Sequence, residues 1–85
     1  MADLSRLREV FRKSLELPPE LGVDELTYRG AQPGADRWDS LAHMSLVAGL
    51  EDAFDLLIDT DDVIEISSFA KAREILGRYG VEFTG

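Results

Sequence analysis

Eighty-five residues with 45% apolar content suffice for one small globular domain and leave no room for a second core. The formal net charge of −8 makes nucleic acid and anionic membrane poor partners, because either surface would repel the chain. With no cysteine, disulfide scaffolds, thiolate metal sites and cysteine nucleophiles are excluded.

The opening Met1-Ala2-Asp3-Leu4-Ser5-Arg6 lacks the basic start and apolar run of a signal peptide. No later stretch is long and apolar enough to span a bilayer, so a cytoplasmic protein is expected. Leu4, Leu7, Val10, Phe11 and Leu15 recur at helical spacing and predict a first helix over about 4–16. Asp3 suits its start, Pro18-Pro19 its end, and Arg6, Arg8, Arg12 and Lys13 its other face. Residues 17–39 form a long connection holding Gly22, Gly30, Pro33 and Gly34. Leu21, Val23, Leu26 and Tyr28 should tack it to the core. Connections of this length inside a small domain are often functional.

A second helix is predicted over 40–55, its apolar stripe formed by Leu41, Met44, Val47, Leu50 and Phe54 and widened by Leu46 and Leu57. Gly49 in its middle costs about 1 kcal/mol relative to Ala and so points to close packing there. Asp59 or Thr60 should cap a short helix over 60–66 containing Val63, Ile64 and Ile66. Asp62 stands where a capping-box acid belongs. Ser67 or Ser68 should cap a last helix over 68–79, with Phe69, Ala72, Ile75, Leu76 and Tyr79 facing inward and Gly80 as its stop. For the tail, residues 80–85, the pattern leaves both packing and fraying open. The fold class is therefore all-α: a small antiparallel bundle of three main helices and a short one, with a long first loop.

Trp38-Asp39-Ser40-Leu41 is the most informative stretch. Asp39 suits the N-cap of the second helix, which makes Ser40 its first residue and leaves the serine hydroxyl free to face water. An anion attached at Ser40 would meet the positive end of the helix dipole and unpaired backbone N–H groups. Trp38 is expected to anchor the loop against the core. His43, one turn on, reads as a solvated helix residue, and with no second histidine it offers neither a metal site nor a triad. Met44, four residues after Ser40, is expected either in the core or beside an attached group. Asp59-Thr60-Asp61-Asp62 invites a calcium reading, but Ile64 stands where the loop needs Gly and Ala70 where it needs Glu. No residue pairs a nucleophile with a base, so a non-enzymatic protein is expected.

The charge is unevenly placed. Between Trp38 and Ala70 there is no Lys or Arg, and there are eight acids: Asp39, Glu51, Asp52, Asp55, Asp59, Asp61, Asp62 and Glu65. Such a surface either keeps a small domain soluble or attracts basic patches on partner proteins.

Residues 38–79 resemble the acyl carrier protein family. The likeness rests on Asp39-Ser40-Leu41, Leu50-Glu51-Asp52-Ala53-Phe54, the Ile58-Asp59-Thr60-Asp61 turn, and Ser67-Ser68-Phe69-Ala70-Lys71-Ala72. The resemblance implies a 4′-phosphopantetheine arm on Ser40, flanked by Asp39 and Leu41, holding an acyl group as a thioester. It also implies a phosphopantetheinyl transferase, acyl-activating and acyl-transferring enzymes with basic docking patches that meet Glu51, Asp52 and Asp55, and a monomeric carrier. In that family acyl chains can tuck between the helices, which makes Leu46, Leu50, Phe54, Ile64 and Ile75 candidate lining. The chain departs from the fatty-acid synthesis pattern, because Ala42, His43 and Ser45 stand where acids usually follow the serine. It departs from peptidyl carriers too, with Arg37-Trp38-Asp39 in place of glycines. A specialised acyl pathway is expected; the alternatives are an aminoacyl or peptidyl carrier and a helical interaction domain that bears no arm.

Overall fold

Asp3 caps the first helix with its side chain, Oδ1 accepting the Ser5 N–H at 3.0 Å. That helix, α1, spans Leu4–Ser14 and buries Leu4, Leu7 and Phe11 along one face. It ends earlier than the proline pair suggests. Glu16 adopts a left-handed backbone (φ 53°), and the Leu17 N–H returns to the Arg12 carbonyl at 2.8 Å. This is a Schellman-type stop completed before Pro18 is reached. The computed structural model describes residues 2–84.

After α1 come a short 3₁₀ turn at Ala35–Arg37, then α2 (Ser40–Phe54), α3 (Thr60–Glu65) and α4 (Phe69–Arg78). Three main helices and a short fourth make a small all-α bundle. The two ends of the described segment pair: β1 (Ala2–Asp3) runs parallel to β2 (Phe83–Thr84), with Ala2 opposite Phe83. The tail therefore packs back, its Phe83 ring edge-on to Phe54 at 5.6 Å.

The long connection supplies core rather than merely crossing it. Leu15, Leu17, Val23, Leu26, Ala35 and Trp38 are all buried. The connection also borrows backbone partners from the start of α4, with Tyr28 N–H bonding the Ser67 carbonyl at 2.8 Å and Phe69 N–H the Leu26 carbonyl at 3.0 Å. Phe11 forms the hub, edge-on to Trp38 at 5.4 Å and to Phe69 at 5.0 Å. Gly49 lies in a tight contact between α1 and α2: a Cβ there would stand 2.9 Å from Ser14 Oγ and 3.2 Å from Val10 Cγ1.

Three arginines on the basic face of α1 bond the fold's own polar groups. Arg6 donates twice to the Ala53 carbonyl near the end of α2, and Arg8 grips Asp24 with two bonds of 2.8 and 2.9 Å. The hydrogen-bonded Arg8 guanidinium holds the Asp24 carboxyl below its usual value. Arg12 reaches the Leu21 carbonyl, and Arg37 the Glu16 carbonyl. These bonds tie the loop down where it has no ladder of its own.

The apolar stripe expected along α2 is only partly internal. Leu46, Val47 and Leu50 are buried, but Leu41 is 81% exposed, Met44 58% and Leu57 82%. Leu41 lies in the first turn of α2 and Leu57 beyond its end. No helix among the described residues is long and apolar enough to cross a membrane.

Candidate functional site around Ser40

The site is assembled at the N-terminus of α2. Asp39 is extended (φ −102°, ψ −174°), and its Oδ1 accepts the Ala42 N–H at 2.9 Å, while its carbonyl takes the first helical bond from His43 N–H. The cap satisfies one of the helix's free donors; the N–H groups of Ser40 and Leu41 precede the first i→i−4 bond. Ser40 is exposed, and its Oγ lies 3.0 Å from Tyr28 Oη. Leu41 stands beside it in water. The expected trio Asp39, Ser40 and Leu41 is thus brought together at one helix tip.

Beneath Ser40 lies an aromatic support. Trp38 is fully buried and donates its indole N–H to His43 Nδ1 at 3.0 Å. An indole only donates, so Nδ1 must accept and the ring hydrogen sits on Nε2. Nε2 in turn donates to the Val63 carbonyl in α3 at 2.8 Å. His43 is therefore not the solvated residue its lone position suggests. It is half-buried, lies side by side with Trp38 with the ring planes 20° apart, and links the first turn of α2 to α3. Tyr28 packs edge-on against both rings, at 6.0 Å from Trp38 and 5.5 Å from His43. Its place beside Ser40 has no local signal, since eleven residues of chain, irregular apart from the 3₁₀ turn, lie between the two. The His43 contact had one: a buried indole N–H needs an acceptor.

The acids beyond Ser40 divide into free and engaged groups. Asp52 and Asp55 are exposed, Asp55 as the left-handed cap of α2 (φ 53°). Glu51 is half-buried, and its Oε2 accepts the Ile58 N–H at 2.9 Å, bracing the turn after α2. Asp62 does not close the expected capping box directly. Tyr79 Oη takes the Asp59 N–H at 2.8 Å and donates to Asp62 Oδ2 at 2.6 Å, so a tyrosine hydroxyl is inserted between the box's two members. Bonding to the Asp62 carboxylate raises the Tyr79 pKa above 10.0. Arg78 approaches Asp62 at 3.5 Å and Glu65 at 3.7 Å, so the fold brings a cation to a stretch that has none in sequence.

The residues expected to line a chain between the helices separate. Leu46, Leu50 and Ile75 are fully buried core, Phe54 is half-buried against Phe83, and Ile64 is 75% exposed. Ile64 therefore belongs to the surface. With Leu41 and Met44 it is one of the large apolar side chains left in water. Chemically, the arrangement offers one exposed primary hydroxyl at a capped helix N-terminus, on a rigid aromatic base and with a second hydroxyl in contact. Compared with models of known families, with curated proteins and with solved structures, the chain matches none.

Proposed function

We propose that this chain is an acyl carrier whose Ser40 bears a 4′-phosphopantetheine arm. The observation carrying the reading is Ser40 itself: exposed, first in α2, and capped by Asp39. The residues fit the group. A phosphodiester on Ser40 Oγ would lie beside the free N–H groups of the first turn and the Tyr28 hydroxyl.

When bound, the arm supplies the thiol that this cysteine-free chain lacks, and so the means to hold an acyl group as a thioester. In the attachment step Ser40 Oγ forms a bond to the phosphorus that carries the pantetheine. The pyrophosphate bond of coenzyme A breaks, adenosine 3′,5′-bisphosphate leaves, and the Ser40 proton passes to a base of the transferase. Asp39 fixes the helix start, and Trp38 and His43 hold it rigid, so the hydroxyl is presented at a defined position. Asp52 and Asp55 remain free to attract basic partners. The reading makes the chain a non-enzymatic, monomeric cytoplasmic protein that serves successive acyl-activating and acyl-transferring enzymes. The uncharged turn after Ser40, with Leu41 and Met44 exposed, favours a specialised partner set.

Intact mass after incubation with coenzyme A, magnesium and a broad-specificity phosphopantetheinyl transferase tests this. One phosphopantetheinyl increment is expected on the wild-type chain and none on Ser40→Ala. An unmodified wild-type chain, alongside a carrier that the same transferase loads, would overturn the proposal.

A further inference from the structure

The Tyr28–Ser40 contact joins a loop residue to the candidate attachment residue, and neither hydroxyl is required by the packing around it. The tyrosine ring lies edge-on to both Trp38 and His43, and those two are joined by their own hydrogen bond. Its backbone is fixed as well, the Tyr28 N–H bonding the Ser67 carbonyl at 2.8 Å. The Arg29 guanidinium lies over the same ring, 5.6 Å from its centroid, and adds positive charge to the surroundings of the hydroxyl. A rigid phenol is thus aimed at an exposed serine oxygen from a segment that is otherwise irregular.

In the unmodified chain either hydroxyl can donate, since each carries one proton and two lone pairs. Attachment at Ser40 removes that freedom. Once Oγ is esterified it has no hydrogen, so Tyr28 can only donate, either to Oγ or to a non-bridging phosphate oxygen beside it. A hydrogen bond to an ionised phosphate is roughly twice as strong as one between neutral groups. We propose that Tyr28 is a positioning residue for the Ser40 site: its hydroxyl orients Oγ before attachment and binds the phosphodiester afterwards, fixing the direction in which the arm leaves α2. The proposal rests on the carrier reading and deepens it.

The test compares the wild-type chain with Tyr28→Phe, which removes one oxygen and keeps the ring against Trp38 and His43. Both are loaded with coenzyme A by the same transferase, and thermal melting confirms that both are folded. Two readouts follow that a purely structural role would leave unmoved. The ³¹P resonance of the phosphodiester should be displaced in folded Tyr28→Phe relative to wild type. The kcat of loading should fall about tenfold, the equivalent of one hydrogen bond to a charged group, with KM for the chain unchanged. Coincident ³¹P resonances and equal loading kcat in two folded proteins would overturn the proposal while leaving the carrier reading intact. A wild-type chain that accepts no arm would overturn both, and the mass of the wild-type sample separates the two failures. Should Tyr28→Phe fail to fold, the ¹³Cζ resonance of Tyr28 in the wild-type chain before and after loading supplies the comparison: coincident resonances would overturn the proposal, because a phenol that comes to donate to a phosphate must shift.

Discussion

The indole N–H of Trp38 and Nδ1 of His43 lie 3.0 Å apart, and the opposite ring nitrogen of His43 holds the Val63 carbonyl. One side chain therefore fastens the end of the long loop, the first turn of α2 and the short helix α3. Replacing the ring by one that cannot hydrogen-bond tests this. His43→Phe keeps aromatic bulk but strands the buried Trp38 N–H. Urea denaturation should show a loss of about 2–3 kcal/mol, and amides of α3 should exchange faster. A loss within error of zero would show that the ring serves only to fill space.

Tyr79 performs a comparable task at the other end of α3. Its hydroxyl bridges the Asp59 N–H and the Asp62 carboxylate, so Tyr79→Phe should lower the melting temperature at neutral pH. The pH dependence follows from the raised pKa of this phenol. A phenol whose folded-state value exceeds its unfolded value of 10.0 stabilises fully below that value and loses the effect as pH rises through the folded one. The gap between wild type and Tyr79→Phe should therefore close in strongly alkaline buffer. Melting curves from pH 7 upward measure it.

Asp24 behaves in the opposite sense. Arg8 depresses its pKa, so the stabilisation is present above the ordinary value of 3.8 and disappears as pH falls through the lowered one. Asp24→Asn should be slightly less stable than wild type at pH 7 and indistinguishable from it in strong acid. Both partners are partly exposed, at 31% and 50% of the side chain, so added salt should also shrink the difference.

Gly49 faces Ser14 and Val10 of α1 across a tight contact with α2. Alanine there gains helix propensity of about 1 kcal/mol but must displace Ser14 Oγ, which can rotate. Gly49→Ala should therefore be close to neutral. Gly49→Val adds branches that meet Val10 and should cost about 1–3 kcal/mol. Chemical denaturation of the pair distinguishes a tight interface from a merely small surface residue.

The division of the apolar residues of α2 and α3 has a simple check. Leu46→Ala opens the core and should cost about 2–5 kcal/mol. Leu41→Ser and Ile64→Ser alter exposed side chains and should stay within about 0.5 kcal/mol of wild type. Under the carrier reading, those two substitutions should instead slow transfer of cargo to partner enzymes, read as acyl transfer from the loaded protein.

Much of this was legible in one dimension. Helical spacing located α1, α2 and α4 because burying one face of a helix imposes a 3.6-residue period on the sequence. Caps were legible for the same local reason: Asp3, Asp39, Ser68 and Gly80 act on backbone groups within a few residues of themselves. Ser40 could be read as the first residue of α2 on those grounds alone. Periodicity does not record how far a neighbouring element extends, so it put Leu41 and Met44 in the apolar stripe although both are largely exposed. Only the tertiary structure decided that His43 is a linker, that Tyr28 meets Ser40, that Tyr79 completes the cap of α3 and that Arg78 reaches the acidic stretch. Each of these joins residues that chain direction keeps apart, and their geometry exists only once the loop and helices have docked.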